Sequence, residues 1–250
     1  MDVVERLIGD LRLDGRVIDV RIGALWTAVA VETERGLRAG LASTQTAHDL
    51  EHGRPLVREA GHLLGKRAGD LARLALSGSG ATLTERSLGF AALNALLDVD
   101  VAACAECNAE EIIVERGTGR NVAIVGHFPF VPRVRAVAGA CWVLELEPQA
   151  GDLPAARAPE VLPAADVVAI TGQTLVNGTF EGLAALCRPE AYVVVLGPTT
   201  PLSRVLFDYG VDAVSGTDVV DVAAVLLAAG QGANFKQMPG RRLITILADR

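Results

Sequence analysis

Between residues 121 and 216 the chain alternates short, largely apolar runs with mixed segments of helical spacing. The runs at 122–126, 140–145, 166–171, 192–197 and 212–216 are rich in Val, Ile and Ala. Strands buried on both faces read this way, as continuous apolar runs instead of an in–out alternation. Helix-like patterns fall between and after them, at 131–138, 157–163, 178–187, 201–209 and 218–229. Strand–helix alternation of this kind predicts a parallel sheet covered by helices on both faces, the Rossmann-like α/β arrangement.

The first half has a different rhythm. A helix is predicted over 3–11, followed by β-rich runs at 16–22, 26–33 and 37–42, with a turn at Arg35-Gly36. These make an antiparallel meander. Leu56, Leu63, Leu64, Ala68, Leu71, Ala72 and Leu74 then predict one helix over 55–76. Ser77-Gly78-Ser79-Gly80 breaks it, and a second helix opens around Thr84 and Ser87 and runs to Leu96. The expected organisation is a smaller α+β domain over 1–112 and a Rossmann-like domain over 113–250.

Composition supports this division and narrows the partners. The 250 residues suffice for two domains. Twenty-three basic residues are scattered among thirty acidic ones, for a net charge of −7 without a basic stripe. A nucleic-acid partner is therefore not expected. The apolar stretch 219–229 is interrupted by Asp221 and falls short of the roughly 20 residues a membrane span needs. With charge at Asp2, Glu5 and Arg6 and no leader-like apolar segment, the expected location is cytoplasmic. The four cysteines, at 104, 107, 141 and 187, are too few for a disulfide framework. An acidic α/β protein of this kind is compatible with a homodimer.

In an open parallel sheet, ligands bind beyond the carboxyl ends of the strands. The corresponding loops are Gly126-His127-Phe128-Pro129-Phe130, Glu145 onward, Thr171-Gly172 through Asn177-Gly178-Thr179, Gly197-Pro198-Thr199-Thr200, and Ser215-Gly216-Thr217-Asp218. The candidate ligand-binding residues are Gly126, Phe128, Glu145, Thr171, Gly172, Asn177, Thr179, Gly197, Thr199, Thr200 and Thr217. Some have local readings as well. Thr200-Pro201 suits a helix start, Thr217 or Asp218 a cap for the last helix, and Gly210 a helix stop. Helix N-termini along this edge would favour an anionic group.

Glu145, 19 residues after Gly126, stands where nucleoside-binding folds place a ribose-accepting carboxylate, or is simply solvated. A dinucleotide is disfavoured, because His127-Phe128-Pro129-Phe130 replaces the glycine cradle. His127 is a candidate acid/base or metal ligand. Cys104 and Cys107 form a lone CxxC, a weak metal candidate without a second pair. His48 and His52, spaced i, i+4 beside Asp49 and Glu51, are weaker still.

In order and spacing, the loop motifs from Gly126-His127-Phe128-Pro129-Phe130-Val131 to Gly216-Thr217 resemble the heavy-metal chelation domain family. The region around 26–42 resembles the enolase-N-terminal-like module that precedes such domains. The resemblance implies a site between the two domains for a small-molecule ligand or metal chelate, with a divalent or heavy metal ion as the candidate cofactor. It leaves open whether a reaction is catalysed. An S-adenosylmethionine-type transferase is the alternative, since Glu145 and the missing pyrophosphate loop suit a single ribose.

Overall fold

The computed structural model describes residues 2–46 and 53–249. Helix α1 (Val3–Gly9) leads into a three-stranded antiparallel sheet of β1 (Arg16–Ile22), β2 (Trp26–Thr33) and β3 (Gly36–Ser43), in that order. The predicted meander is present. The single helix expected over 55–76 is not: only α2 (Ala68–Ala72) and one 3-10 turn after it are helical. Gly61 and Gly65 take φ of +86° and +80°, which no continuous right-handed helix permits. Of the leucines that suggested helical spacing, Leu63 and Leu71 are buried, whereas Leu56 and Leu64 are exposed.

Helix α3 (Leu83–Leu96) starts one turn-defining residue earlier than Thr84 suggests. Thr82 caps it, its Oγ1 accepting the Glu85 N–H while the Glu85 carboxylate accepts the Thr82 N–H. The Glu85 side chain is almost fully buried and also receives two guanidinium nitrogens of Arg58. Burial pushes its carboxyl upward, but these donors outweigh burial and hold it below the ordinary range.

Helix α4 (Ala109–Gly117), not foreseen as a separate element, leads into the second sheet. That sheet contains β4 (Asn121–Val125), β5 (Ala140–Glu145), β6 (Leu153–Pro154), β7 (Val167–Thr171), β8 (Tyr192–Leu196), β9 (Ala213–Val219) and β10 (Arg241–Leu247). Its order is β10-β9-β8-β7-β4-β5-β6, parallel except for the antiparallel edge strand β10. The intervening helices are α5 (Val131–Arg135), α6 (Ala158–Val161), α7 (Gln173–Asn177), α8 (Phe180–Ala184) and α9 (Val222–Gly230). The architecture is thus Rossmann-like α/β, following a smaller antiparallel sheet.

The period-2 pleat divides the strands between two cores. Val122 and Ile124 of β4, Val167 and Ala169 of β7, and Val194 and Leu196 of β8 pack with α4 and α5. Their neighbours Ala123, Val125, Val168, Ile170, Val193 and Val195 pack on the other face with α6, α7 and α8. That second core continues without a break into α1, α3 and the first sheet.

Two helix assignments move. The helix predicted over 178–187 is shorter, α8 alone, and is preceded by a separate α7 that Gly178 stops. The helix expected to begin at Thr200-Pro201 is a 3-10 helix, Arg204–Tyr209, capped by Ser203 and stopped by Gly210 as expected. Thr217 and Asp218 cap nothing. Pairing with β10 extends β9 to Val219, and Asp221 caps α9 instead.

β2 is buried from both sides. Val29 and Val31 face α3, whereas Ala28 and Ala30 face Val225, Leu226 and Ala229 of α9. The contact between β3 and α3 is equally close, because a Cβ at Gly40 would sit 2.2 Å from the Ala91 carbonyl oxygen. Gly40→Ala is therefore expected to cost about 1–3 kcal/mol of stability through overpacking. Gly182→Ala in α8, where a Cβ would meet nothing within 4 Å, is expected to be neutral or to stabilise by up to about 1 kcal/mol. Urea midpoints of the two variants check this; equal midpoints would contradict it.

Candidate functional site

The chain runs from β4 to β5 on one side and returns through β7 on the other, so the strand order reverses between β4 and β7. The carboxyl ends of these two strands border the crevice that such a reversal opens. Gly126 ends β4 with φ of +103°, and a Cβ there would press within 3.1–3.3 Å of Thr171 and the Phe128 ring. Glycine thus lets the two strand ends approach. Gly172 has the same role after β7: a Cβ would lie 2.4 Å from Thr200 Oγ1 and 2.7 Å from its amide nitrogen.

Two cavities flank these loops. The smaller, of about 250 Å³, is lined by the polar residues His127, Glu145, Asn177 and Thr179 and by apolar ones including Leu144 and Leu183. The larger, of about 740 Å³, extends across the ends of β7, β8 and β9 and includes Gly172, Gly197, Thr199 and Trp26. His127, Phe128, Thr171 and Gln173 border both.

His127 stands at the junction. Its Nδ1 lies 2.8 Å from Asp152 Oδ2. The Asp152 side chain is fully buried, and its Oδ2 also accepts the Gln149 N–H at 3.2 Å, with Arg135 3.4 Å from Oδ1. Burial pushes the Asp152 carboxyl upward, yet His127, the Gln149 N–H and Arg135 together bring it below its ordinary value. An ionised Asp152 fixes the proton of a neutral His127 on Nδ1, which leaves the Nε2 lone pair available. Sequence alone assigned Asp152 no role; the contact spans 25 residues.

The other candidates divide. Glu145 holds the loop: Oε1 accepts the His127 N–H at 2.7 Å and Oε2 accepts the Leu146 N–H at 3.0 Å. Asn177 Oδ1 accepts from the Thr179 amide and hydroxyl, an internal turn that still faces the smaller cavity. Thr199 Oγ1 accepts the Ser43 N–H at 2.9 Å, tying the β8 loop to the first sheet. The Thr200 and Thr217 hydroxyls are buried without a partner among the described residues, and neither residue lines the two cavities.

Gln173 was not anticipated. Its amide nitrogen donates to Ser43 Oγ, and its oxygen accepts from Gln45 at 3.1 Å, joining the site to the first module.

The residues do not fit a metal held by protein side chains. Among the described residues, no three of His, Cys, Asp and Glu converge as a ligand set. Cys104 and Cys107 lie beside β10, where residue 105 forms a bridge to Thr245, and line neither cavity. Burial raises the Cys104 thiol above its usual value and drives Cys187 up to about 11, which disfavours the thiolate a metal requires. The short helices α5 and α7, five residues each, offer little dipole for an anion. His48, Asp49, Glu51 and His52 lie outside the described residues. Also among the described residues, no helix is long and apolar enough to cross a membrane.

Comparison with known proteins places this geometry. Residues 4–97 and 108–248 match two family descriptions, both worded "Putative heavy-metal chelation", the second being DUF364. An uncharacterized protein of Methanocaldococcus jannaschii is 26% identical over 230 residues, covering 88% of this chain and 85% of its own. The crystal structure of a DUF364-family protein of unknown function from Pyrococcus horikoshii superposes with a TM-score of 0.82 at 22% identity, covering 98% of both chains. Another, from Desulfitobacterium hafniense, gives 0.77 at 24% identity, covering 98% of this chain and 97% of that one. These two similarities speak for the fold. Since the DUF364 match spans more than half of the 250 residues, the chain belongs to the DUF364 family, which is associated with heavy-metal chelation.

Proposed function

We propose that this protein binds, and transfers a proton to or from, a small heterocyclic or metal-chelating metabolite in the crevice beyond β4 and β7. The observation that carries this reading is the His127–Asp152 pair, 2.8 Å apart where the two cavities meet. A buried carboxylate that orients an imidazole is the arrangement general acid–base chemistry needs. The family association with chelation fits a metal that arrives as cargo, held by the ligand's own donors, since no side-chain set for it exists among the described residues. The smaller cavity supplies hydrogen-bonding groups alongside apolar side chains, which suits a compact ring system.

Mass spectrometry of the denatured extract identifies what co-purifies, and calorimetry with divalent and soft metals, with and without a chelator, measures its capture. Binding is expected for the chelate and not for the bare ion, and His127→Asn should weaken it about tenfold or more. Equal ligand content in wild type and His127→Asn would sink the reading. So would a thermal shift with S-adenosylmethionine that Glu145→Ala abolishes, which would identify a transferase instead.

Asp152 adds a pH signature. Its folded pKa is depressed, so its stabilising contribution is complete above the unfolded carboxylate value near pH 4 and is lost as pH falls through the lower folded value. Asp152→Asn should thus lower the melting temperature at pH 7, with the gap to wild type closing as pH falls below the ordinary carboxylate range. A gap that persists unchanged at low pH would show that Asp152 is not stabilised as an ion.

A further inference from the structure

The larger cavity carries chemistry that the His127–Asp152 pair does not use. One wall is the Phe128–Phe130 stack, with centroids 5.0 Å apart and planes 15° from parallel. Another is formed by Trp26 and Phe235, centroids 5.6 Å apart, with the Arg241 guanidinium 4.0 Å from the Phe235 centroid. Trp26 comes from the first sheet, whereas Phe235 comes from the turn before β10 and Arg241 opens β10 itself. The sequence gives no hint that they meet.

The charges along this cavity are unbalanced. Arg133 is paired with Glu110 at 2.8 Å, which leaves Lys236 and Arg241 without a carboxylate partner among the described residues. Arg241 is half-buried, and its Nε and Nη2 both donate to the Phe235 carbonyl oxygen, at 3.0 and 2.7 Å. A carbonyl satisfies the guanidinium's hydrogens but not its charge. Burial accordingly disfavours the charged form of Arg241 and lowers its pKa. Two uncompensated cations beside aromatic faces are unexpected in a chain of net charge −7. A partly desolvated cation without a counter-charge is costly unless an anion completes the site.

We infer that the larger cavity binds a planar ring bearing an oxyanion, a carboxylate or a phosphate, with the ring against the aromatic walls and the oxyanion at Arg241 and Lys236. This rests on the proposed function only in placing the metabolite in the same crevice. It adds the ligand's charge and shape. The volume, about 740 Å³, lies within the range of small-molecule sites. Aromatic faces select a flat ring, and a planar guanidinium matches an oxyanion in geometry as well as charge.

Calorimetry on the full chain with paired probes tests this. Isophthalate is compared with isophthalyl alcohol, and adenosine monophosphate with adenosine. Neither aromatic diacid nor diol carries a ring nitrogen, so chelation does not confound that pair. At low salt the charged member of at least one pair should bind about tenfold tighter than its neutral partner, and the difference should shrink at about 0.5 M salt. The pair that responds distinguishes carboxylate from phosphate. Arg241→Gln and Lys236→Gln should each remove most of the charge-dependent gain while leaving the neutral member unchanged. Lys236 is exposed, so its substitution decides the matter if Arg241→Gln loosens the fold. Equal affinity of charged and neutral members, wild-type affinity in Lys236→Gln, or no binding by any of the four probes would overturn the inference. None of these results touches the His127→Asn comparison, on which the proposed function separately depends.

Discussion

Because β4 hydrogen-bonds to β5 on one side and to β7 on the other, the connections leaving β4 and β7 pass to opposite faces of the sheet. Their first residues therefore diverge and leave a crevice between them. Backbone pairing fixes this gap before any polar side chain enters it. Gly126 and Gly172 then bring the loops close, and Glu145 anchors the His127 amide at 2.7 Å. The imidazole, the smaller cavity and the Phe128–Phe130 wall take their positions from that divergence.

The first sheet is part of the same construction. Its β2 strand is sandwiched between α3 and α9, so an element near the C-terminus completes the core of the N-terminal module. Polar contacts carry the junction to the crevice. Ser43 and Gln45 hold Gln173 and Thr199, Asn94 donates to the Thr199 and Leu41 carbonyls, and Arg86 of α3 donates to the Leu175 and Val176 carbonyls at the end of α7. Each module thus sets the geometry of loops belonging to the other. Burial of Val29, Val31 and their partners is worth about 1.5–3 kcal/mol per large side chain, which makes the junction a shared core instead of a loose contact.

Heavy-metal chelation, as a family association, is easier to reconcile with this site when the donor atoms belong to the ligand. The side chains that converge are an imidazole with its carboxylate, amides, hydroxyls, aromatic rings and guanidinium or ammonium groups. Such a set matches the organic ligand proposed above better than it matches a bare ion. The cysteines, which the sequence offered only as weak metal candidates, line neither cavity, and burial raises the Cys104 and Cys187 thiols above their usual value.

Much of the strand framework was legible in the chain itself. Five apolar runs marked β4, β5, β7, β8 and β9, since a strand buried on both faces has no polar positions to disguise it. Parallel connection then placed the ends of all five along one edge, which brought His127, Glu145 and Thr171 into one region. Helices were less legible. Over 55–76, the spacing of leucines imitated a helix that Gly61 and Gly65 forbid, because periodicity records which residues are buried and not how the backbone buries them. Local sequence also could not show β10, whose pairing explains why Thr217 belongs to a strand and why Asp221 is the cap. The pairings that give the site its chemistry were the least visible: Asp152 with His127, Gln173 with Ser43, and Trp26 with Phe235. They join residues 25, 130 and 209 positions apart, brought together only by the packing of sheets and helices. The sequence by itself determined which segments are buried strands and which loops share an edge; tertiary packing alone decided which side chains meet there, because contact across the crevice depends on long-range register.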